Sequence, residues 1–98
     1  MIPDLHDATL TSIEVDWVEK LATFTFRLAQ DTVTVVVSSC SRLVLPRDEP
    51  WGSSSSVNGI ELVEGADGPV RMSVEMQSGD LLVVEGASVE WESAERRP

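Results

Sequence analysis

Strict two-residue alternation of apolar and polar side chains is the feature that most limits what this chain can become. Ala22, Phe24, Phe26 and Leu28 alternate with Thr23, Thr25 and Arg27, and Val70, Met72, Val74 and Met76 alternate with Arg71, Ser73, Glu75 and Gln77. A β-strand sends successive side chains to opposite faces, so each run has one apolar and one polar face. A helix would scatter the same residues around its circumference. The pattern predicts antiparallel sheet with one solvated side. A one-residue slip would put every apolar side chain in water. Phe24, Phe26, Val35, Val37, Met72 and Val74 are therefore expected in the core, with Thr25, Arg27, Ser73 and Glu75 mostly exposed.

The other strands follow from the same period and its interruptions. The first is expected over Ala8–Trp17. Its apolar parity changes from Ala8 and Leu10 to Ile13, Val15 and Trp17, and a bulge near Thr11-Ser12 would return both sets to one face. Val18-Glu19-Lys20 suits a hairpin turn. Asp31 opens a third strand with Val33, Val35 and Val37 inward. Arg42-Leu43-Val44-Leu45 then stops at Pro46, and Pro46–Ser56 reads as a long loop. Val57–Val63 resumes as a strand, interrupted at Asn58-Gly59. Turns are expected at Gly65–Pro69 and at Ser78-Gly79-Asp80. The strand from Leu81 to Val84 changes parity at Glu85-Gly86, which predicts a glycine-marked bulge before Val89 and Trp91. Residues 88–97 could instead form a short helix capped by Ser88; strand is favoured up to Trp91, with 92–98 as a frayed tail. The expectation is one all-β domain over 1–98, with about six mainly antiparallel strands in a small sandwich or half-open barrel.

Charge narrows the function classes. The chain carries 17 acidic and 7 basic residues, a formal net charge of −10. That balance repels phosphate backbones and supplies no basic stripe, so nucleic acid is not an expected partner. A basic protein partner fits better. No apolar run reaches the roughly 18–20 residues that cross a bilayer, and the N-terminal stretch lacks the pattern of a secretory signal. No membrane association is expected, and the cytoplasm is the expected location. Cys40 is the sole cysteine, so neither an intrachain disulfide nor a zinc knuckle is expected, and it reads as a small buried hydrophobe.

Few residues have chemical character. Adjacent residues of an extended chain face opposite ways, so His6 and Asp7 are not expected to form a direct dyad; Asp7 is expected to accept backbone N–H bonds where the first strand begins. Gly52-Ser53-Ser54-Ser55-Ser56 lacks the second glycine of a nucleophile elbow and the lysine of a phosphate loop. No catalytic, cofactor-binding or metal-binding residue is assigned, and no cofactor. Trp51, directly after Pro50 in a polar loop that opens at Pro46, is either a lid folded onto the sheet edge or an exposed anchor. Burying an indole stabilises by about 2–3 kcal/mol, which favours the lid or a place in a subunit interface. Trp17 and Trp91 end strands and are expected in the core or at a barrel mouth.

Two stretches carry a resemblance. One is Leu5-His6-Asp7-Ala8 followed by Ile13-Glu14-Val15-Asp16-Trp17. The other is Pro46-Arg47 followed by Pro50-Trp51-Gly52, Ser55, Val57-Asn58 and Glu75-Met76-Gln77-Ser78-Gly79-Asp80. Together they resemble a group of small bacterial proteins of unknown function with an LHDA…DW opening and a PWG…VN loop. The opening is also similar to the start of some proteins grouped with bacterial toxin-immunity families. The expected function is a non-enzymatic binding or interaction protein, immunity-like by the second resemblance, whose acidic surface, with the Trp51 loop, steers and blocks a basic partner protein. Candidate partner-binding residues are His6, Asp7, Arg47, Trp51 and Asn58. Two alternatives stand beside it: a structural homo-oligomer without a separate ligand, and a small enzyme using His6 with nearby carboxylates.

Overall fold

The alternating runs become the strands of two antiparallel sheets. The computed structural model describes residues 4–64 and 68–95, with no side-chain detail for 94 and 95. The strands are β1 (Thr9–Asp16), β2 (Leu21–Leu28), β3 (Asp31–Ser38), β4 (Arg42–Val44), β5 (Val57–Glu64), β6 (Val70–Met76), β7 (Leu81–Gly86) and β8 (Ser88–Glu95). One sheet has the order β1-β2-β3-β8 and the other β4-β7-β6-β5. Among the described residues no helix is long and apolar enough to cross a membrane.

The core is the sum of the inward rows. Phe24, Phe26, Val35 and Val37 from one sheet meet Met72, Val74, Leu82 and Val84 from the other, all buried. Phe24 and Phe26 are two residues apart on β2, so their rings stack on one face, with centroids 6.4 Å apart. On the outer faces Arg27 and Glu75 are exposed as expected, but Thr25 and Ser73 are half-buried. Both lie on strands flanked on each side, where neighbouring side chains cover a small residue.

The two expected irregularities of β1 and β5 are present. The β1–β2 register shifts between Leu10 and Ser12, which leaves Thr11 as the extra residue. The β5–β6 register shifts between Val57 and Gly59, which leaves Asn58 as the extra residue. The parity change at Gly86 has a different cause from the one expected. It is no bulge: β7 ends there and the chain crosses to the opposite sheet, starting β8 at Ser88. A Cβ on Gly86 would stand 2.6 Å from the Ser38 carbonyl oxygen, so only glycine lets the crossing pass so close. This crossover and the three-residue β4 raise the strand count from about six to eight.

β8 also runs further than expected. Ser93, Ala94 and Glu95 pair with Val33, Thr32 and Asp31, so the ladder on β3 holds residues 92–95 as strand rather than tail or helix. Residues 65–67, within the expected Gly65–Pro69 turn, and residues 96–98 lie outside the described residues.

Candidate partner-binding surface

The β6–β7 hairpin, with the last residues of β6, is the hub of one end of the sandwich. Its turn closes by hydrogen bonds from the Met76 N–H to the Asp80 carbonyl (2.8 Å) and from the Gly79 N–H to the Met76 carbonyl (2.9 Å). Gly79 takes φ +97, which glycine adopts without a Cβ penalty. Three points of attachment tie the N-terminal turn and the long loop to this hairpin.

The first is the N-terminal turn. Leu5 and Ala8 are buried and the Ala8 N–H bonds the Leu5 carbonyl at 2.9 Å, so His6 and Asp7 form the outward corner of a tight turn. Asp7 has φ 68, a left-handed conformation that aspartate tolerates better than most residues. The extended chain assumed for this pair is therefore replaced by a turn, and the two side chains lie on the same side. His6 Nε2 is 3.6 Å from Asp7 Oδ2, and His6 Nδ1 is 2.6 Å from the Asn58 carbonyl oxygen. That carbonyl, then the carboxylates of Asp7 and Asp4, raise the His6 pKa above its ordinary value against a smaller opposing effect of desolvation. Gln77 donates to Asp7 Oδ1 at 2.7 Å. Asn58, thrown outward by its bulge, donates to Glu75.

The second is the long loop. The Asp80 carboxylate is buried and accepts the N–H groups of Asp48 and Glu49, each at 3.0 Å, and the Ser78 hydroxyl at 2.8 Å. Burial alone would push this carboxyl up. The bonds from Ser78, Glu49 and Asp48 and the charge of Arg47 outweigh it and hold the pKa below its ordinary value. Arg47 also pairs with Glu49 at 2.9 Å.

The third is Trp51. Its N–H donates to the Ser78 carbonyl at 3.1 Å, and the Gly52 N–H closes a turn onto Glu49 at 3.1 Å. The indole lies over Gly79, yet Trp51 is 78% exposed. The expected lid is not formed, because the loop is fastened through its backbone and Asp80, and those bonds leave the Cε3–Cζ3 side of the indole against Gly79 and most of the ring in water.

No family model and no curated protein matches this chain.

His6, Asp7 and Asn58 thus form one connected group, and Arg47 and Trp51 belong to the adjoining braced loop. Glu75, Gln77, Gly79 and Asp80 were missed as site residues; their signal was the Glu75–Asp80 stretch that carries the resemblance, in which Ser78-Gly79-Asp80 by itself reads simply as a turn. Asp4 and Asp7 lie beside His6, Glu75 is held by Asn58, and Asp48 and Glu49 precede Trp51 in the loop, where Arg47 pairs with Glu49. Cys40 is half-buried and its N–H bonds the Lys20 carbonyl at the β1–β2 turn. His6 precedes the opposite end of β1, so the two do not meet. Among the described residues no three His, Cys, Asp or Glu side chains are placed to hold a metal ion. Trp17 is not a core residue: it is 88% exposed beside Val18 at the β1–β2 turn. Trp91 lies on the inward row of edge strand β8 opposite Val35 and is partly exposed.

Proposed function

We propose that this chain is a non-enzymatic, cytoplasmic binding protein, immunity-like by its opening motif, that holds a basic protein against its Trp51 end and blocks it. The observation that carries the reading is the presentation of Trp51. An indole 78% in water forgoes about 2 kcal/mol of burial, yet the surrounding bonds fix its backbone in that position. Pre-fixed exposed aromatics are what binding hot spots are made of, because little freedom remains to be lost on association. The acidic rim speeds encounter with a basic partner and selects against acidic ones. An enzyme built on His6 and Asp7 has less support, since both side chains lie on an open surface.

The test is affinity capture from source cells, followed by titration of the purified captured protein against the wild type and Trp51→Ala. A basic partner that binds the variant about 30-fold more weakly, equivalent to about 2 kcal/mol, is the expected result. A partner that binds both equally contradicts the reading.

A further inference from the structure

β1 is an edge strand, and only its beginning is covered. Leu10 bonds the Ser55 carbonyl at 2.8 Å and Thr9 bridges to Ser56, while Ser12–Asp16, past the bulge, pair with β2 alone. β4 is likewise an edge of the other sheet. Two clefts lie where these edges approach each other. One, of about 250 Å³, has Leu10 and Ile13 on one wall, Leu45 and Pro46 on the other, and Met76 and Leu82 between them. The second, of about 740 Å³, has Val15, Trp17, Leu21 and Leu43 in its lining, along with the basic Lys20 and Arg42. Val15 is 48% exposed and Leu45 41% exposed. On the outward face of the same strand, Glu14 and Asp16 are exposed and have no ion-pair partner among the described residues. A third concavity, of about 460 Å³, runs beside these two carboxylates.

We infer that the free edge of β1 accepts an extended segment of a partner chain as an added strand, with apolar side chains alternating with lysine or arginine. This rests on the proposed basic partner and adds a place and a mode of binding. A strand laid along Ser12–Asp16 shares the two-residue period of β1, so its side chains alternate between the same two faces. Those turned inward meet the apolar clefts. Those turned outward meet Glu14 and Asp16, where opposite charges across adjacent strands attract. A second copy of β1 fits poorly, because it would bring these carboxylates against each other, on two molecules that each carry a net charge of −10.

The test uses blocked peptides of about nine residues, long enough to span the edge. One alternates lysine and valine, one alternates glutamate and valine, and one has the lysines and valines in separate blocks. Binding is followed by amide NMR and hydrogen exchange of the whole chain. The alternating lysine peptide should protect amides within Ser12–Asp16, and both other peptides should bind at least about tenfold more weakly. Glu14→Lys, at an exposed position, should weaken it by about tenfold, whereas Trp51→Ala should leave it unchanged. No protection at Ser12–Asp16, or equal binding to Glu14→Lys, overturns the inference. Binding lost in Trp51→Ala and kept in Glu14→Lys overturns it while sustaining the proposed function. Preference for the glutamate peptide overturns both. A free protein that sediments as a dimer with these amides already protected assigns the edge to a second copy and also overturns it.

Discussion

The Trp51 indole rests on Gly79 so closely that a Cβ on the glycine would stand 2.4 Å from Cε3 and 2.5 Å from Cζ3. The glycine is required twice over, by this contact and by its φ of +97. Gly79→Ala is expected to lower stability by about 1–3 kcal/mol, the usual cost of a side chain in a strained backbone region, and to displace the ring. In the wild type the Gly79 α-proton in the Cβ direction points at Cε3 and Cζ3 of the indole, so the ring current should displace its NMR signal from the ordinary glycine position. Trp51→Ala should return it to an ordinary position; an unchanged signal would place the ring elsewhere.

His6 links stability to pH near neutrality. Its pKa is raised by the Asn58 carbonyl, then by Asp7, so the protonated ring binds its partners better in the folded chain. The resulting stabilisation is fully present below the ordinary value of about 6.5 and is lost as pH rises through the folded-state value. Thermal melts of the wild type and His6→Gln should therefore differ most below pH 6.5 and converge at higher pH. A difference that grows with pH would show that the contact favours the neutral ring.

Asp80 acts at the acid end. Its burial is outweighed by bonds from Ser78, Glu49 and Asp48 and by the charge of Arg47, so its pKa lies below the ordinary value of about 3.8. The stabilisation is present above that value and is lost as pH falls through the lowered one. Asp80→Asn should release the loop. Proteolytic cleavage within residues 45–56 should quicken at neutral pH, and the difference from the wild type should narrow below about pH 3.8. Equal cleavage of both proteins at neutral pH would show that Asp80 does not hold the loop.

The β2–β3 hairpin holds a correctable strain. Leu28 pairs with Asp31 across the two residues Ala29 and Gln30, and Ala29 takes φ 54. A left-handed alanine costs about 1–2 kcal/mol relative to glycine. Ala29→Gly should raise the melting temperature, with a gain of about 1 kcal/mol after the extra flexibility of the unfolded chain is subtracted. A lower melting temperature would contradict the turn geometry.

Alternation made the core legible, because Phe24, Phe26, Met72 and Val74 have one face on which to be dry. The bulge at Thr11 was legible for the same reason: a parity change in a strand that stays in its sheet requires an extra residue. At Gly86 that logic reached its limit. Parity reports that the inward face changes, and a crossing between sheets produces the change as well as a bulge does. His6-Asp7 was misread because alternation assumes extended backbone, and a single left-handed aspartate cancels it. Trp51 was misread because the gain from burying its ring was weighed without the bonds that hold the loop. Those bonds come from Ser78 and Asp80, nearly thirty residues further along the chain, and no local pattern announces them.

Trp51 is exposed on a backbone fastened to the hairpin. A variant with Trp17 and Trp91 replaced by phenylalanine, leaving Trp51 as the sole fluorophore, reports on both properties. An external quencher should reach the indole almost as readily as it reaches free tryptophan, at every protein concentration. The anisotropy should meanwhile decay at the tumbling rate of the whole domain. A ring shielded from quencher, or an exposed ring turning freely on the nanosecond scale of loop motions, would show that Trp51 is not a pre-fixed exposed anchor.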